Sequence, residues 1–241
     1  MKCKIITIWG RAGSGKTTFA VNLALALAER KFIVGVVSSN LLYGNLQVFF
    51  NQSIREDKGV FQALGNCREG INEHFWKCGI HENLFLLAVP NGYKGLLADG
   101  VTGEETHALL SEASTYFDFL IIDGSEEINN PMSSVALTLS STIFTIHRPS
   151  IATCLWLRAM EDFIKQLHLK DRLVHLLNAS DGSCPVEGFL KNSDIHFHQE
   201  LPTVKLASIL ENAGTPIYLS GDKASKSYSR VLDIISDELC G

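Results

Sequence analysis

No stretch of this chain approaches the ~18 consecutive apolar residues of a membrane-spanning helix. Its opening residues run into a strand-like segment rather than a basic, apolar leader. A cytoplasmic protein is the expectation, with any recruitment to a membrane-associated assembly running through partners. Positive charge is not in excess: 21 Lys and Arg stand against 26 Asp and Glu, for a formal net charge of −5. That balance excludes a broad nucleic-acid footprint and leaves room only for a local basic patch. The six cysteines, Cys3, Cys67, Cys78, Cys154, Cys184 and Cys240, include no C-x-x-C pair and are scattered over a chain too large to need staples. They read as reduced thiols. Cys67, His74, Cys78 and His81 match no established zinc spacing, so ordinary packing is expected of them. There is no G-x-S-x-G elbow to suggest a serine hydrolase. No internal repeat, low-complexity tract or Pro/Ser-rich linker divides the sequence, so residues 1–241 read as one domain.

What the chain does have is the run Gly10-Arg11-Ala12-Gly13-Ser14-Gly15-Lys16-Thr17, which satisfies G-x-x-x-x-G-K-[ST]. Before it lies the apolar, β-branched run Ile5 to Trp9. After it, Phe19, Leu23 and Leu27 recur on one helical face. Glycines in a strand-to-helix turn let successive backbone N–H groups point at one anion, and the helix N-terminus adds favourable partial charge. In this pattern Lys16 neutralises the outer phosphates and Thr17 offers its hydroxyl to Mg²⁺.

Strand-like and helix-like segments alternate along the rest of the chain, as a sheet covered on both faces requires. The strand candidates are Lys4–Trp9, Phe32–Val37, Leu84–Val89, Phe119–Ile122, Thr142–Ile146, Leu173–Leu177 and Ile195–His198. On the last of these, His196 and His198 would share one face as partly buried, hydrogen-bonded side chains. The stretch Asn51–His81 is the least regular, interrupted by Gly59, Gly65, Gly70 and Gly79, and is expected to cap the nucleotide side or an interface. A second chemical landmark is Phe117-Asp118-Phe119-Leu120-Ile121-Ile122-Asp123-Gly124, an apolar strand that delivers a carboxylate at its C-terminal end. Beside a phosphate loop, such an Asp helps to hold Mg²⁺, usually through its water shell.

With these features the chain resembles the MinD/ParA family of P-loop ATPases, and within it the CpaE/TadZ-like branch that localises pilus assembly. The resemblance covers nearly the whole length. It runs through Ile5 to Leu27, Val36 to Leu46, the Asp123 strand, Ile146-His147-Arg148-Pro149-Ser150-Ile151, Leu176-Leu177-Asn178, Glu200-Leu201-Pro202 and Gly214-Thr215-Pro216-Ile217. It implies an α/β P-loop NTPase fold, a mostly parallel twisted sheet with helices on both faces and ATP at the strand C-termini. ATP and Mg²⁺ are the implied cofactors. The implied nucleotide contacts are Gly10, Arg11, Ala12, Gly13, Ser14, Gly15, Lys16, Thr17 and Thr18, with Asn178 on adenine and Pro202 near the base. Thr17 and Asp123 are the implied metal residues, and Lys16, Arg11 and Asp123 the implied catalytic ones. The implied partners are a second copy, in an ATP-dependent homodimer, and a protein of a pilus, secretion or partition machinery.

Three departures from the family pattern bear on activity. Where the family carries Lys-Gly-Gly at the start of the loop, with a Lys that reaches the partner's phosphates, this chain has Arg11-Ala12-Gly13. Arg11 keeps the charge but not the shape, so it reads either as a trans-acting phosphate contact or as a solvated loop arginine. Ala12 is less free than glycine to adopt positive φ. After the second strand the family's Asp-x-Asp is replaced by Ser38-Ser39-Asn40, which can position water but supplies no negative charge. Weak hydrolysis is the expectation, and Glu126 and Glu127 read either as substitute water-orienting groups or as solvated loop carboxylates.

Near the C-terminus, Tyr228–Leu239 is amphipathic, but Asp233, Asp237 and Glu238 occupy the side where a membrane-anchoring helix carries cations. It reads as a core-facing helix and argues against a direct membrane anchor. Lys223, Lys226 and Arg230 are the only local cations there, which leaves a DNA-partition ATPase as an alternative reading. A nucleotide-dependent binding module with negligible turnover is the other.

Overall fold

A computed structural model describes residues 2–65, 70–93, 100–178, 186–193 and 195–241. Its first strand, β1 (Lys4–Trp9), sits near the middle of an eight-stranded sheet. On one side lie β5 (Phe119–Asp123), β2 (Val34–Ser38), β4 (Leu84–Leu87) and β3 (Trp76–Lys77), and on the other β6 (Thr142–His147), β7 (Leu173–Asn178) and β8 (Gln199–Leu201). All neighbours pair in parallel except β3, an antiparallel edge strand on β4. The register sets Ile8 beside Asp123 and Asp123 beside Ser38, so the C-terminal ends of β1, β5 and β2 finish level. Loops leaving that edge face one crevice, where open α/β sheets bind ligands.

Period-2 alternation explains how the sheet is covered. Ile6, Ile8, Val34, Val36, Phe119 and Ile121 pack on one face against α1 (Lys16–Glu29) and α8 (Lys223–Cys240). Val37, Leu87, Leu120 and Ile122 point to the other face, against α2 (Val60–Gly65), α3 (Gly103–Ala113) and α4 (Pro131–Leu139). Trp9 and Ile143 join that face under α5 (Ile151–Gln166). Every residue from Phe19 to Ala28 of α1 is buried, as befits a helix held between the sheet and another helix. Complete burial of each of Leu23, Leu25 and Leu27 stabilises the fold by roughly 1.5–3 kcal/mol. Among the described residues no helix is long and apolar enough to cross a membrane.

The C-terminal amphipathic stretch is the core-facing helix its pattern predicts. Tyr228, Leu232, Ile235 and Leu239 are buried, while Asp233 and Asp237 bind Arg30 of α1 at 3.0 and 2.8 Å. The helix begins earlier than Tyr228 because Asp222 caps it, accepting from the N–H groups of Ala224 and Ser225.

Two expectations are corrected. The strand expected over Ile195–His198 begins only at Gln199, since Phe197 packs edge-on to His147 and His198 reaches Glu238 at 2.8 Å. His196 and His198 are exposed and precede the strand rather than lining one face of it. The strand expected from Phe32 starts at Val34, because Lys31 turns the chain at φ 67 and Ile33 N donates to the Asp118 carboxylate. The Asn51–His81 stretch, expected to cap the nucleotide side or an interface, contains β3 and α2 and sends Val60, Ala63, Ile71 and Phe75 into the core. Cys78 is buried there and accepts from Gln52 Nε2, whereas Cys67 and Cys184 lie outside the described residues.

Candidate functional site

The turn from β1 into α1 is carried by three glycines at positive φ, Gly10 at 139, Gly13 at 73 and Gly15 at 96. At two of them a side chain would also collide, with backbone at Gly10 and with the Asn178 amide at Gly15. A Cβ on Gly10 would lie 2.6 Å from the Ile146 carbonyl oxygen, and one on Gly15 would lie 2.6 Å from Asn178 Nδ2. Ala12 is not among the positive-φ residues, so its methyl group costs the loop no strain.

The loop lies between two cavities. On one side is a cleft of about 640 Å³ lined by Ala12, Gly13, Lys16, Thr17, Asp123 and residues of the loops after β2 (39–43 and Asn45) and after β5 (124–127, Asn129 and Asn130). On the other is a smaller cavity of about 200 Å³, lined by Gly15, Thr18, Arg148, Asn178, Pro202 and Glu211 among others. The motif residues are thus brought together around one loop, with Asn178 and Pro202 on the opposite side from Asp123.

Within the larger cleft, Thr17 Oγ1 donates to Asp123 Oδ2 at 2.8 Å. Burial pushes the Asp123 carboxyl up to about 6, against the opposing pull of Thr17 and of the Lys16 ammonium. Lys16 Nζ donates to the Arg11 carbonyl at 3.0 Å, and burial lowers the lysine's pKa while Asp123 and Glu126 oppose that shift. Two buried oxygens here, Asp123 Oδ1 and Ser14 Oγ, have no hydrogen-bond partner among the described residues. An orphaned carboxylate oxygen beside a threonine hydroxyl suits a hard divalent cation. Open space over Gly13, together with the buried lysine, suits phosphate. The residues present therefore fit a Mg²⁺-bound nucleotide phosphate.

The remaining candidates take definite places. Arg11 is half-buried, with Nη1 directed at the Ala12 carbonyl at 3.3 Å. Thr18 donates to the Glu211 carboxylate, which tethers α1 to α7 (Ala207–Asn212) beside the smaller cavity. Asn178 Nδ2 donates to the Ser14 carbonyl at 2.7 Å and so braces the loop from the end of β7. Ser38 is fully buried and donates to Asn45 Oδ1 at 2.9 Å. Asn40 Oδ1 accepts from the N–H of Leu42 at 2.9 Å in an Asx turn. Glu126 accepts the Ala12 N–H at 2.6 Å, whereas Glu127 is exposed.

Several participants carry no motif of their own. Ser39 binds the Asp123 carbonyl through both its N–H and its hydroxyl, and Asn130 Nδ2 reaches the Ser39 carbonyl at 2.9 Å. Asn130 also caps α4, and the Asn-Pro pair at 130–131 is the sequence signal for that cap. Away from the loop, on neighbouring strands β6 and β7, the buried His147 and the partly buried His175 pair through Nε2 and Nδ1 at 3.1 Å, with Thr145 Oγ1 at 2.6 Å from His175 Nδ1. Burial lowers the pKa of His147 to about 3 and that of His175 to about 4.

No protein-family model matches the chain. An uncharacterized ATP-binding protein of Methanocaldococcus jannaschii is 30% identical over 137 residues, 54% of this chain and 48% of that protein. The chain spans about half the length of the curated relatives it matches. Among solved structures, MinD of Pyrococcus horikoshii complexed with Mg-ADP superposes with a TM-score of 0.79 at 18% identity, covering 99% of this chain and 98% of that one. A ParA family ATPase of Chlorobium tepidum gives 0.80 at 16% identity, covering 97% and 98%. At these identities the likeness shows the fold, and the fold is the one expected, a P-loop α/β sheet of the MinD/ParA kind.

Proposed function

We propose that this chain is a MinD/ParA-like, ATP-binding ATPase that positions or assembles a larger apparatus, a pilus or secretion machine as in the CpaE/TadZ-like branch. It works as an ATP-controlled homodimer with weak hydrolysis. The observation that carries the reading is the convergence of Lys16, Thr17 and the orphaned Asp123 Oδ1 on one cleft at the strand C-termini. Mg²⁺ held there would supply charge to offset what develops on the outer phosphates. Thr17 and Asp123 would hold it. Lys16 exchanges the Arg11 carbonyl for phosphate, while the N–H groups at the start of α1 hold the anion and Asn178 keeps the loop in register from behind. At the cleft mouth Leu42 and Tyr43 are 61% and 60% exposed, apolar surface that a second copy would cover in the closed dimer.

A second reading, a nucleotide-dependent binding module with negligible turnover, is favoured by Ser38 and Asn40. Neither carries charge, and their side chains are bound to Asn45 and to the Leu42 N–H. Sedimentation with Mg²⁺ and a slowly hydrolysed ATP analogue tests the dimer, using Arg11→Ala and Lys16→Ala as controls. ATP is expected to dimerise the wild type, Arg11→Ala to weaken the dimer, and Lys16→Ala to abolish nucleotide binding and its thermal stabilisation. A wild type that stays monomeric overturns the dimer. Steady-state turnover against Lys16→Ala separates the weak ATPase from the binding module.

A further inference from the structure

Of all the contacts around the phosphate loop, one places a negative charge where the loop is built to receive one. Glu126 Oε2 accepts the Ala12 N–H at 2.6 Å, and the Glu126 charge also acts on Lys16. The two residues are 114 positions apart, so the contact is made by the fold and not by local turn geometry. The segment that presents Glu126 is secured at both ends. Gly124 N donates to the Ile8 carbonyl at 2.9 Å, Ser125 N to Ser133 Oγ at 2.7 Å, and Asn130 Nδ2 to the Ser39 carbonyl at 2.9 Å.

The arrangement of the two cavities tells which part of a nucleotide meets this carboxylate. This inference rests on the proposed reading of the loop as an ATP site. On that reading, a base beside Asn178 and Pro202 would direct the phosphate chain along the loop from Gly15 towards Lys16, with its far end in the cleft that Ala12, Asp123 and Glu126 line. A triphosphate would reach farther into that cleft than a diphosphate. Charge-assisted hydrogen bonds from a backbone N–H to a carboxylate are among the stronger ones in proteins. Two anions cannot share one amide without mutual repulsion.

We propose that Glu126 sets the preference of the site between nucleoside di- and triphosphate, its carboxylate holding the Ala12 amide until a terminal phosphate displaces it. Displacement releases only the Glu126 side chain from the loop, since the segment 124–130 stays bonded to Ser39 on one side and to α4 on the other. ADP leaves the contact in place.

The test is a titration of fluorescent ADP and of a fluorescent, non-hydrolysable ATP analogue, with Mg²⁺, into wild type, Glu126→Gln, Glu126→Ala and Lys16→Ala. Glu126→Gln keeps an oxygen acceptor for the Ala12 N–H and removes only the charge, so its fold is retained even if the alanine variant unfolds. Both Glu126 variants are expected to bind the triphosphate about tenfold more tightly relative to ADP than wild type does, with ADP affinity within about twofold. Equal changes for both nucleotides, no change, or a weaker triphosphate complex in Glu126→Gln would overturn the inference while leaving the site intact. Unchanged affinities with a loss of turnover would make Glu126 a catalytic base and overturn it as well. If wild type binds neither nucleotide, or Lys16→Ala binds both as well as wild type, the ATP-site reading itself falls and takes this inference with it.

Discussion

The Thr17 hydroxyl donates to Asp123 Oδ2 at 2.8 Å, joining the first turn of α1 to the end of β5 across 106 residues of chain. The other oxygen of the same carboxylate is buried without a partner among the described residues. One oxygen is thus oriented by the loop hydroxyl while its neighbour is left available to a cation. A buried carboxylate in this state costs the nucleotide-free fold some stability, since half of its accepting capacity is unused.

Asp123→Asn is therefore expected to move two measurements in opposite directions. The folded-state pKa lies near 6, above the usual 3.8, so at pH 7 the fold carries an ionised group that its surroundings disfavour. Removing that charge raises the thermal midpoint of the free protein. It also lowers the Mg²⁺-dependent part of nucleotide affinity by roughly 10–100-fold, the range typical of groups that hold a metal through its shell. Thermal melts with and without ATP, in Mg²⁺ and in EDTA, check both signs. A drop in both would make Asp123 a structural residue.

Asn178 gives a second test. Its Nδ2 binds the Ser14 carbonyl at 2.7 Å and crowds the Cβ position of Gly15, so it shapes the loop as well as lining the smaller cavity. Asn178→Ala is expected to weaken ATP binding by about 1–2 kcal/mol, the scale of one lost buried hydrogen bond. If the residue acts only on the loop, GTP and ATP lose equally. An added role at the base appears as a larger loss for ATP, read by competition titration.

How much of this was legible in the sequence depends on how local each feature is. The β1, loop and α1 unit is set by contiguous residues whose glycine positions, β-branched run and helical period all agree. Asp123 was legible for the same reason, as a carboxylate ending an apolar run. The hand of the Glu126 contact was not, because a pair of acidic residues after a strand looks alike whether solvated or folded back onto a loop 114 positions away. Strand β3 spans only Trp76–Lys77 and owes its existence to pairing with β4, too short to leave a periodic signal. The alternation in Ile195–His198 suggested a strand, but Phe197 found its partners in His147 and Phe189, and the ladder began one step later at Gln199.

The His147–His175 pair predicts acid sensitivity. Both imidazoles have folded pKa values, about 3 and about 4, below the ordinary 6.5. The unfolded chain therefore binds more protons than the folded one between those limits, and stability present above pH 6.5 is lost as the pH falls towards 4. Each imidazole contributes a slope of about 1.4 kcal/mol per pH unit in that window. Asp123 works the other way between about 6 and 3.8, so two protons oppose one and the net effect remains a loss. Urea unfolding at a series of pH values should show this fall in wild type and a flatter profile in a His147→Gln, His175→Gln variant. Equal slopes would mean that neither imidazole is desolvated in solution.

The last prediction concerns turnover. Ser38 stands in register with Asp123 at the ends of β2 and β5, and its hydroxyl is bound to Asn45. Asn40 spends its side-chain oxygen on the Leu42 N–H. Activating water needs groups placed accurately against the terminal phosphate, and their absence costs orders of magnitude in rate even when binding is intact. Ser38→Asp with Asn40→Asp is expected to raise Mg²⁺-dependent ATP hydrolysis above wild type. A carboxylate at position 38 is buried beside Asp123, so two like charges meet there. The variant should accordingly melt below wild type in EDTA and recover most of the difference when Mg²⁺ and ATP are added. Steady-state phosphate release, with the Lys16→Ala rate subtracted, reads the first effect, and paired melts read the second. Vigorous wild-type turnover, or a variant with no gain in rate despite recovered stability, would show that these two positions do not limit the chemistry.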